Sequence, residues 1–315
     1  MISLNNENIM LEKYNKKYLL PVYSGTLAIE GILKSLRLGK NDKVLITNVV
    51  CYSILHAILN AGLIPIIAIP SNGLTLSKKE IREIVKKEKI KVFIAVHQYG
   101  YEQEIEKINN LIIIEDISQA WNIKLNNRQV GENSDYIISS LGNSKPLSNG
   151  VGGLIMSNIN FISKFDIKTK ECRNSIDSIL EFYYPLTINY KRIVKKANKK
   201  VSNQRKNANF FKKLLKIYNF IRLIDENNTI PSYHRFPIYV DDIEYDNILK
   251  ILDKCKVNYQ KEYKNKLDKL NVVKKLDIKV VSNNNIKEKC LLLKTNNNYL
   301  NLKKFEIEMR KYYGS

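Results

Sequence analysis

"LIIIEDISQA", residues 111–120, decides how the chain folds. Its four leading apolar residues do not alternate with polar ones. A strand made from them is therefore buried on both faces, as in a parallel sheet covered by helices on each side. The acids Glu115 and Asp116 follow at once, then Ser118 and Gln119. Ligands of open parallel sheets bind beyond the carboxyl ends of the strands, so polar residues placed there are candidates for chemistry.

Working outward, the same reading applies to "KVLIT" (43–47), "IPIIAI" (64–69), "KVFIAV" (91–96), "YIISS" (136–140) and "GGLIMS" (152–157). Between them lie helix-period stretches at 27–38, 50–61 and 78–89, the last opened by Ser77 and Glu80 in capping-box spacing. This alternation predicts an α/β fold, a mainly parallel sheet with helices on both faces. From about residue 158 the pattern becomes lysine-rich and helical, over 159–182 and 190–217. A strand at 233–240 and a helix at 243–255 follow. The expected division is a large α/β domain over 1–200 and a smaller C-terminal α+β domain over 201–315.

The net charge of +21 is unevenly spread. Residues 1–155 carry 18 Lys+Arg against 14 Asp+Glu, and the remainder carries 34 against 17. Such an excess favours phosphorylated or otherwise anionic partners, but it also accompanies a compositional drift toward Lys, Asn and Ile. The basic half lacks interleaved aromatic stacking motifs and an identifiable recognition helix, so a nucleic-acid module ranks low. Cys51, Cys172, Cys255 and Cys290 form no CxxC pair, and three histidines make no ligand cluster, so no metal site is expected. No stretch approaches the roughly 18 apolar residues of a spanning helix. No apolar leader opens the chain, and a cytoplasmic protein is expected.

Several polar features fall at strand ends or helix starts. "SGT" (24–26) opens the first helix, whose free N–H groups suit a phosphate. "EDISQA" (115–120) ends one strand, and Ser140 ends another. Lys145 follows in a short polar loop, "SLGNSK", ahead of "GVGG" (150–153). Neither GxGxxG nor GxxxxGK[ST] is present, so dinucleotide and P-loop readings lack their fingerprints.

Taken in order, "SGT", "HQYG" (97–100), "EDISQA", "SLGNSK" and "GVGG" resemble the DegT/DnrJ/EryC1/StrS family of sugar aminotransferases. The resemblance runs from about residue 10 to 157. It implies a fold type I transferase dependent on pyridoxal 5'-phosphate, forming a homodimer. Its substrates would be a nucleotide-linked sugar and an amino-acid donor, glutamate in most of the family. By resemblance Lys145 is the catalytic amine, which condenses with the cofactor's aldehyde and then moves the substrate proton. Asp116 matches the carboxylate that pairs with the ring nitrogen, and Gln119 the contact to the ring oxygen. Gly25, Thr26 and Ser140 match the phosphate cradle. Either Cys51 or Tyr52 covers the ring face, and Asn189 in "NYKR" is matched to an element that reaches a partner's phosphate. His97 reads equally as an active-site group or a core histidine.

The implied function is transfer of an amino group to a keto sugar, for polysaccharide or secondary-metabolite biosynthesis. Related dehydratases carry histidine in place of the lysine, so Lys145 argues against that branch. A cofactor-binding lyase, decarboxylase or regulator is the alternative.

Overall fold

The computed structural model of the protein describes residues 7–125, 128–160, 188–226, 229–261, 266–282 and 288–314. The first half runs α1 (Asn8–Tyr14), β1 (Tyr18–Val22), α2 (Gly25–Ser35), β2 (Lys43–Thr47), α3 (Tyr52–Asn60), β3 (Ile64–Ile69), α4 (Lys78–Glu88) and β4 (Ile90–Val96). It continues with β5 (Ile112–Asp116), a small hairpin of β6 (Lys124–Leu125) and β7 (Arg128–Gln129), then β8 (Tyr136–Ser140) and β9 (Gly153–Ser157). The second half comprises α5 (Tyr190–Leu215), β10 (Ile221–Leu223), β11 (Phe236–Val240), α6 (Asp242–Lys254) and β12 (Tyr259–Lys261). It ends with α7 (Asn271–Lys275), β13 (Val280–Ser282), β14 (Lys289–Leu293) and α8 (Tyr299–Tyr313). The helix expected at 159–182 lies almost wholly outside the described residues.

Eight strands form the main sheet in the order β1-β9-β8-β5-β4-β2-β3-β13. The run from β8 to β13 is parallel, while β9 pairs antiparallel with both β8 and β1. The fold is thus the α/β architecture that the apolar runs predict. Each central strand divides its side chains between two cores. Val44, Ile46, Val92 and Ile94 pack beneath α2 and α3, whereas Leu45, Phe93 and Ala95 meet Ile81, Ile84 and Val85 of α4. That split explains the unbroken apolar runs, since a strand covered on both faces has no side left for polar residues. The Ser77–Glu80 capping box forms at the start of α4.

A second sheet, β10-β11-β14-β12, packs with α5, α6 and α8. On α5 a stripe of Ile193, Ala197, Val201, Ala208, Phe211 and Leu215 is buried, and most of its lysines face outward. The helix runs unbroken through residue 200. Val280–Ser282 returns to the main sheet and extends its edge beside β3. The two halves also share a core, in which Val49, Leu74, Tyr99 and Tyr101 pack with residues of the second sheet.

One turn joins the halves. His97–Gly100 leaves β4, with Tyr99 at φ 58° and Gly100 at φ +83°. Ser232 N–H donates to Gly100 O (2.9 Å) and Arg235 N–H to Tyr99 O (3.2 Å). A Cβ at Gly100 would lie 2.2 Å from Ser232 Oγ and 3.0 Å from both Gln119 O and His234 N. Gly100→Ala is expected to cost at least about 2 kcal/mol in a urea titration, from combined left-handed strain and collision. Adding Ser232→Ala should recover only part of the loss, because the two backbone atoms remain in the way.

Beneath this turn His97 is fully buried, with Nδ1 accepting from Gln103 N–H (3.0 Å). Nε2 therefore carries the proton of the neutral ring and donates to Glu115 Oε1 (3.1 Å). Burial pushes the nearby Glu102 carboxyl up to about 7, with Glu104 and Glu115 adding repulsion. Below the ordinary value near 4.5, Glu102 is protonated folded or unfolded and contributes nothing. As pH rises to 7 the unfolded chain ionises first, so folding is progressively disfavoured, and the full penalty holds above pH 7. Glu102→Gln should therefore stabilise the protein by about 1 kcal/mol at pH 8, after allowance for solvent screening, and by nothing at pH 4. Thermal melts at the two pH values read the difference.

Candidate active site

The carboxyl ends of β4, β5 and β8 open onto a cavity of about 440 Å³. Backbone bonds fix their relative heights: His97 N–H donates to Asp116 O (3.1 Å) and Ile117 N–H to Ile138 O (2.9 Å). Lys145 lines this cavity from the loop after β8 and is half-buried. A turn closed by Lys145 N–H to Gly142 O (3.0 Å) places it, and Leu141 N–H to Gly152 O (2.8 Å) ties the loop to β9. From the other side Lys200 Nζ donates to the carbonyls of Ser144 (2.9 Å) and Lys145 (3.0 Å). The backbone that carries the amine is thus held at both flanks.

Asp116 ends β5 at 7% exposure. Burial pushes its carboxyl above the ordinary carboxylate value, while the bonds from Ser118 and the charge of Lys145 pull it back down. Ser118 N–H donates to Oδ1 (2.8 Å), and the Ser118 hydroxyl oxygen accepts from Ser140 N–H (2.7 Å). Asp116 and Ser140, at adjacent strand ends, are therefore linked through one serine.

The start of α2 forms another wall. Ser24 caps it by accepting from Leu27 N–H (3.2 Å), and Thr26 is buried in its first turn. Gly25 lets the helix approach β8, since a Cβ there would lie 3.1 Å from Ser140 Cβ. The start of α2 and the hydroxyls of Ser24, Thr26 and Ser140 thus meet at one edge of the cavity, the kind of edge that suits an anion. At the opposite edge Gln119 is fixed at both ends of its amide. Its Oε1 accepts from Tyr99 N–H (3.2 Å), and its Nε2 donates to Gln98 Oε1 (2.9 Å).

Gly25, Thr26, Cys51, Asp116, Gln119, Ser140 and Lys145 all line this one cavity. Tyr52 does not; it opens α3 at 68% exposure, while Cys51, its N-cap, faces the cavity. Asn189 is also outside the cavity: it caps α5, its Oδ1 accepting from Arg192 N–H (2.9 Å). His97 lies below the floor as a satisfied core histidine. Gln98, Ser118 and Gly152 line the cavity although the sequence does not single them out. Gln98 and Ser118 are interior positions of "HQYG" and "EDISQA", where the motif leaves the residue type open.

The residues fit pyridoxal phosphate by their donor set. An amine stands ready for an aldehyde, a buried carboxylate for a cationic ring nitrogen, and a helix start for a phosphate. Asp116, raised by burial and lacking a dedicated ion pair, is the kind of acid that a bound cation would relieve.

The chain is 27% identical to the GDP-perosamine synthase of Vibrio cholerae over 153 residues, 46% of this chain and 41% of that protein. It is 30% identical to the pleiotropic regulatory protein of Geobacillus stearothermophilus over 143 residues, 43% of this chain and 38% of that protein. The matched stretch thus spans about two fifths of the length of these curated relatives. The crystal structure of a DegT DnrJ EryC1 StrS aminotransferase from Brucella abortus shares the fold at a TM-score of 0.77 and 15% identity, covering 98% of this chain and 89% of that one. The sequence pattern of one family matches residues 6–165, half of the chain, and the protein belongs to the DegT/DnrJ/EryC1/StrS aminotransferase family.

Proposed function

We propose that the protein is a pyridoxal-phosphate-dependent aminotransferase that moves an amino group from an amino acid, glutamate in the first instance, to the keto group of a nucleotide-linked sugar. The observation that carries this reading is the convergence of Lys145 and Asp116 on one cavity whose far edge is the start of α2. When bound, the cofactor supplies an electron sink for the carbon that loses its proton. Lys145 would anchor the aldehyde and then carry the proton between the reacting carbon atoms at its Nζ. Asp116 would hold the ring nitrogen protonated, and its burial strengthens that pairing. Ser140, Thr26 and the N–H of Gly25 would hold the phosphate. Cys51 is the nearer candidate of the two ring-covering residues, since it lines the cavity and Tyr52 does not.

A homodimer belongs to the proposal. Tyr52 (68% exposed) and Val151 (54%) are large apolar side chains beside the cavity, and a second copy would cover them. The GDP-perosamine synthase likeness supports the sugar-nucleotide acceptor. A second reading keeps the cofactor without the transfer. The likeness to a pleiotropic regulatory protein favours it.

Incubation of the cofactor-loaded protein with glutamate separates the two readings. Conversion of the bound cofactor to its amine form, seen by absorbance, supports transfer, whereas an unchanged spectrum supports the second reading. Lys145→Ala should lower turnover by at least about 10³-fold with the melting temperature unchanged within 2 °C, the size expected when the proton-moving group is lost. Asp116→Asn should reduce turnover by about 100-fold or more, since the charge opposite the ring is removed. Full activity in the Lys145 variant would sink the assignment.

A further inference from the structure

The floor of the cavity holds a polar atom with nothing to bind. Gln98 is 1% exposed, lines the same cavity as Lys145 and Asp116, and its Nε2 is buried without a hydrogen-bond partner. The orientation of its amide is not arbitrary. Tyr99 N–H can only donate, so the atom of Gln119 facing it at 3.2 Å is Oε1. Gln119 must then present Nε2 to Gln98, which answers with Oε1 at 2.9 Å. Turning the Gln98 amide over would set two NH₂ groups against each other. One backbone N–H, aimed by the left-handed Tyr99 (φ 58°), therefore fixes both amides and leaves the Gln98 NH₂ without an acceptor.

Strand order says which acceptor belongs there. Ser140, Asp116 and the His97–Gln98 turn stand at the ends of β8, β5 and β4, three neighbouring strands. Neighbouring strands are roughly 4.8 Å apart, so the three ends span about the width of a substituted pyridine. The phosphate-binding edge is on the β8 side and the carboxylate for the ring nitrogen is on the central β5. The ring edge opposite the phosphate arm, on the β4 side, is the one that bears the 3-oxygen. We propose that Gln98 is a further cofactor-binding residue, whose Nε2 donates to the ring 3-oxygen of pyridoxal phosphate and whose Oε1 positions Gln119 beside it. The inference rests on the pyridoxal-phosphate reading of the cavity.

The test is a binding titration of the purified protein with pyridoxal phosphate and, separately, with its 3-deoxy analogue, which lacks that oxygen. The wild type, Gln98→Leu and Gln119→Ala are compared, and the cofactor-free melting temperature of each is recorded. Gln98→Leu should bind pyridoxal phosphate about tenfold more weakly, the size of one lost hydrogen bond to a charged acceptor. Its affinity for the 3-deoxy analogue should equal that of the wild type. Its cofactor-free melting temperature should stay close to the wild-type value, because the unsatisfied Gln98 donor is removed while Gln119 Nε2 loses its acceptor. Equal weakening toward both ligands, or unchanged affinity for pyridoxal phosphate, would overturn the role of Gln98. A lower cofactor-free melting temperature with unchanged affinity would show a structural residue and overturn it too. A wild-type protein that binds neither compound overturns the cofactor reading itself, a result readily told apart from the others.

Discussion

The structure depends on the parallel register of β4, β5 and β8. Hydrogen bonds between these strands set Val96 beside Asp116 and Asp116 beside Ile138, so their carboxyl ends finish at nearly one level. Everything chemically distinctive then emerges within a few residues of that level: the His97–Gly100 turn, Asp116 through Gln119, and Ser140 through Lys145. A slip of one residue in β5 would turn Asp116 to the opposite face of the sheet and carry Glu115 into the cavity. The apolar alternation between two cores prevents such a slip, because it would also exchange Ile113 and Ile114 between environments already filled.

Below that level lies a buried polar layer. His97 binds Glu115 through one nitrogen and the Gln103 backbone through the other, and the Gln103 side chain spans Leu76 N–H, Leu76 O and Glu104 O. These bonds hold the loop after β4 rigidly to the top of α4. Rigidity is what the cavity floor requires, since Gln98 and Gln119 take their positions from the same turn. His97 and Gly100 of "HQYG" are thus structural, while Gln98 lines the cavity.

How much of this was legible depended on burial and length. The central strands were read to within a residue or so because both faces are covered and the apolar runs are uninterrupted. β1 escaped notice: it is an edge strand with Pro21 inside it, a residue that a central strand would not tolerate. β13 has only three residues and owes its place to a neighbour more than 200 positions away in sequence, so no local pattern announces it. In the site, Lys145, Asp116 and Gln119 were visible because the ordered motifs that carry them resemble those of one family. Of Cys51 and Tyr52, which residue lines the cavity depends on where α3 starts, and no local pattern fixes that to one residue. Gln98 could not be found at all, because its significance lies in an absent partner rather than in its type.

The second half of the chain matters to the site through contact with its floor. Ser232 Oγ donates to Gln119 O (3.0 Å), and the 232–235 segment is bonded to the backbone of Tyr99 and Gly100. The residue that the cavity shares with the neighbouring segment is therefore fixed by both halves at once. Close by, burial and the positive charges of Arg235, Lys145 and Lys200 hold His234 well below the ordinary imidazole value, so it stays neutral there. A neutral His234 adds no further repulsion among the three cations around it, of which Lys200 also bonds the carbonyls of the Lys145 loop. The chemistry is thus written in residues 24–152, but its geometry is completed by a segment 80 or more residues later. A fragment ending after β9 would retain every motif of the site and lose the Ser232 bond to the Gln119 backbone and the Lys200 bonds that flank Lys145.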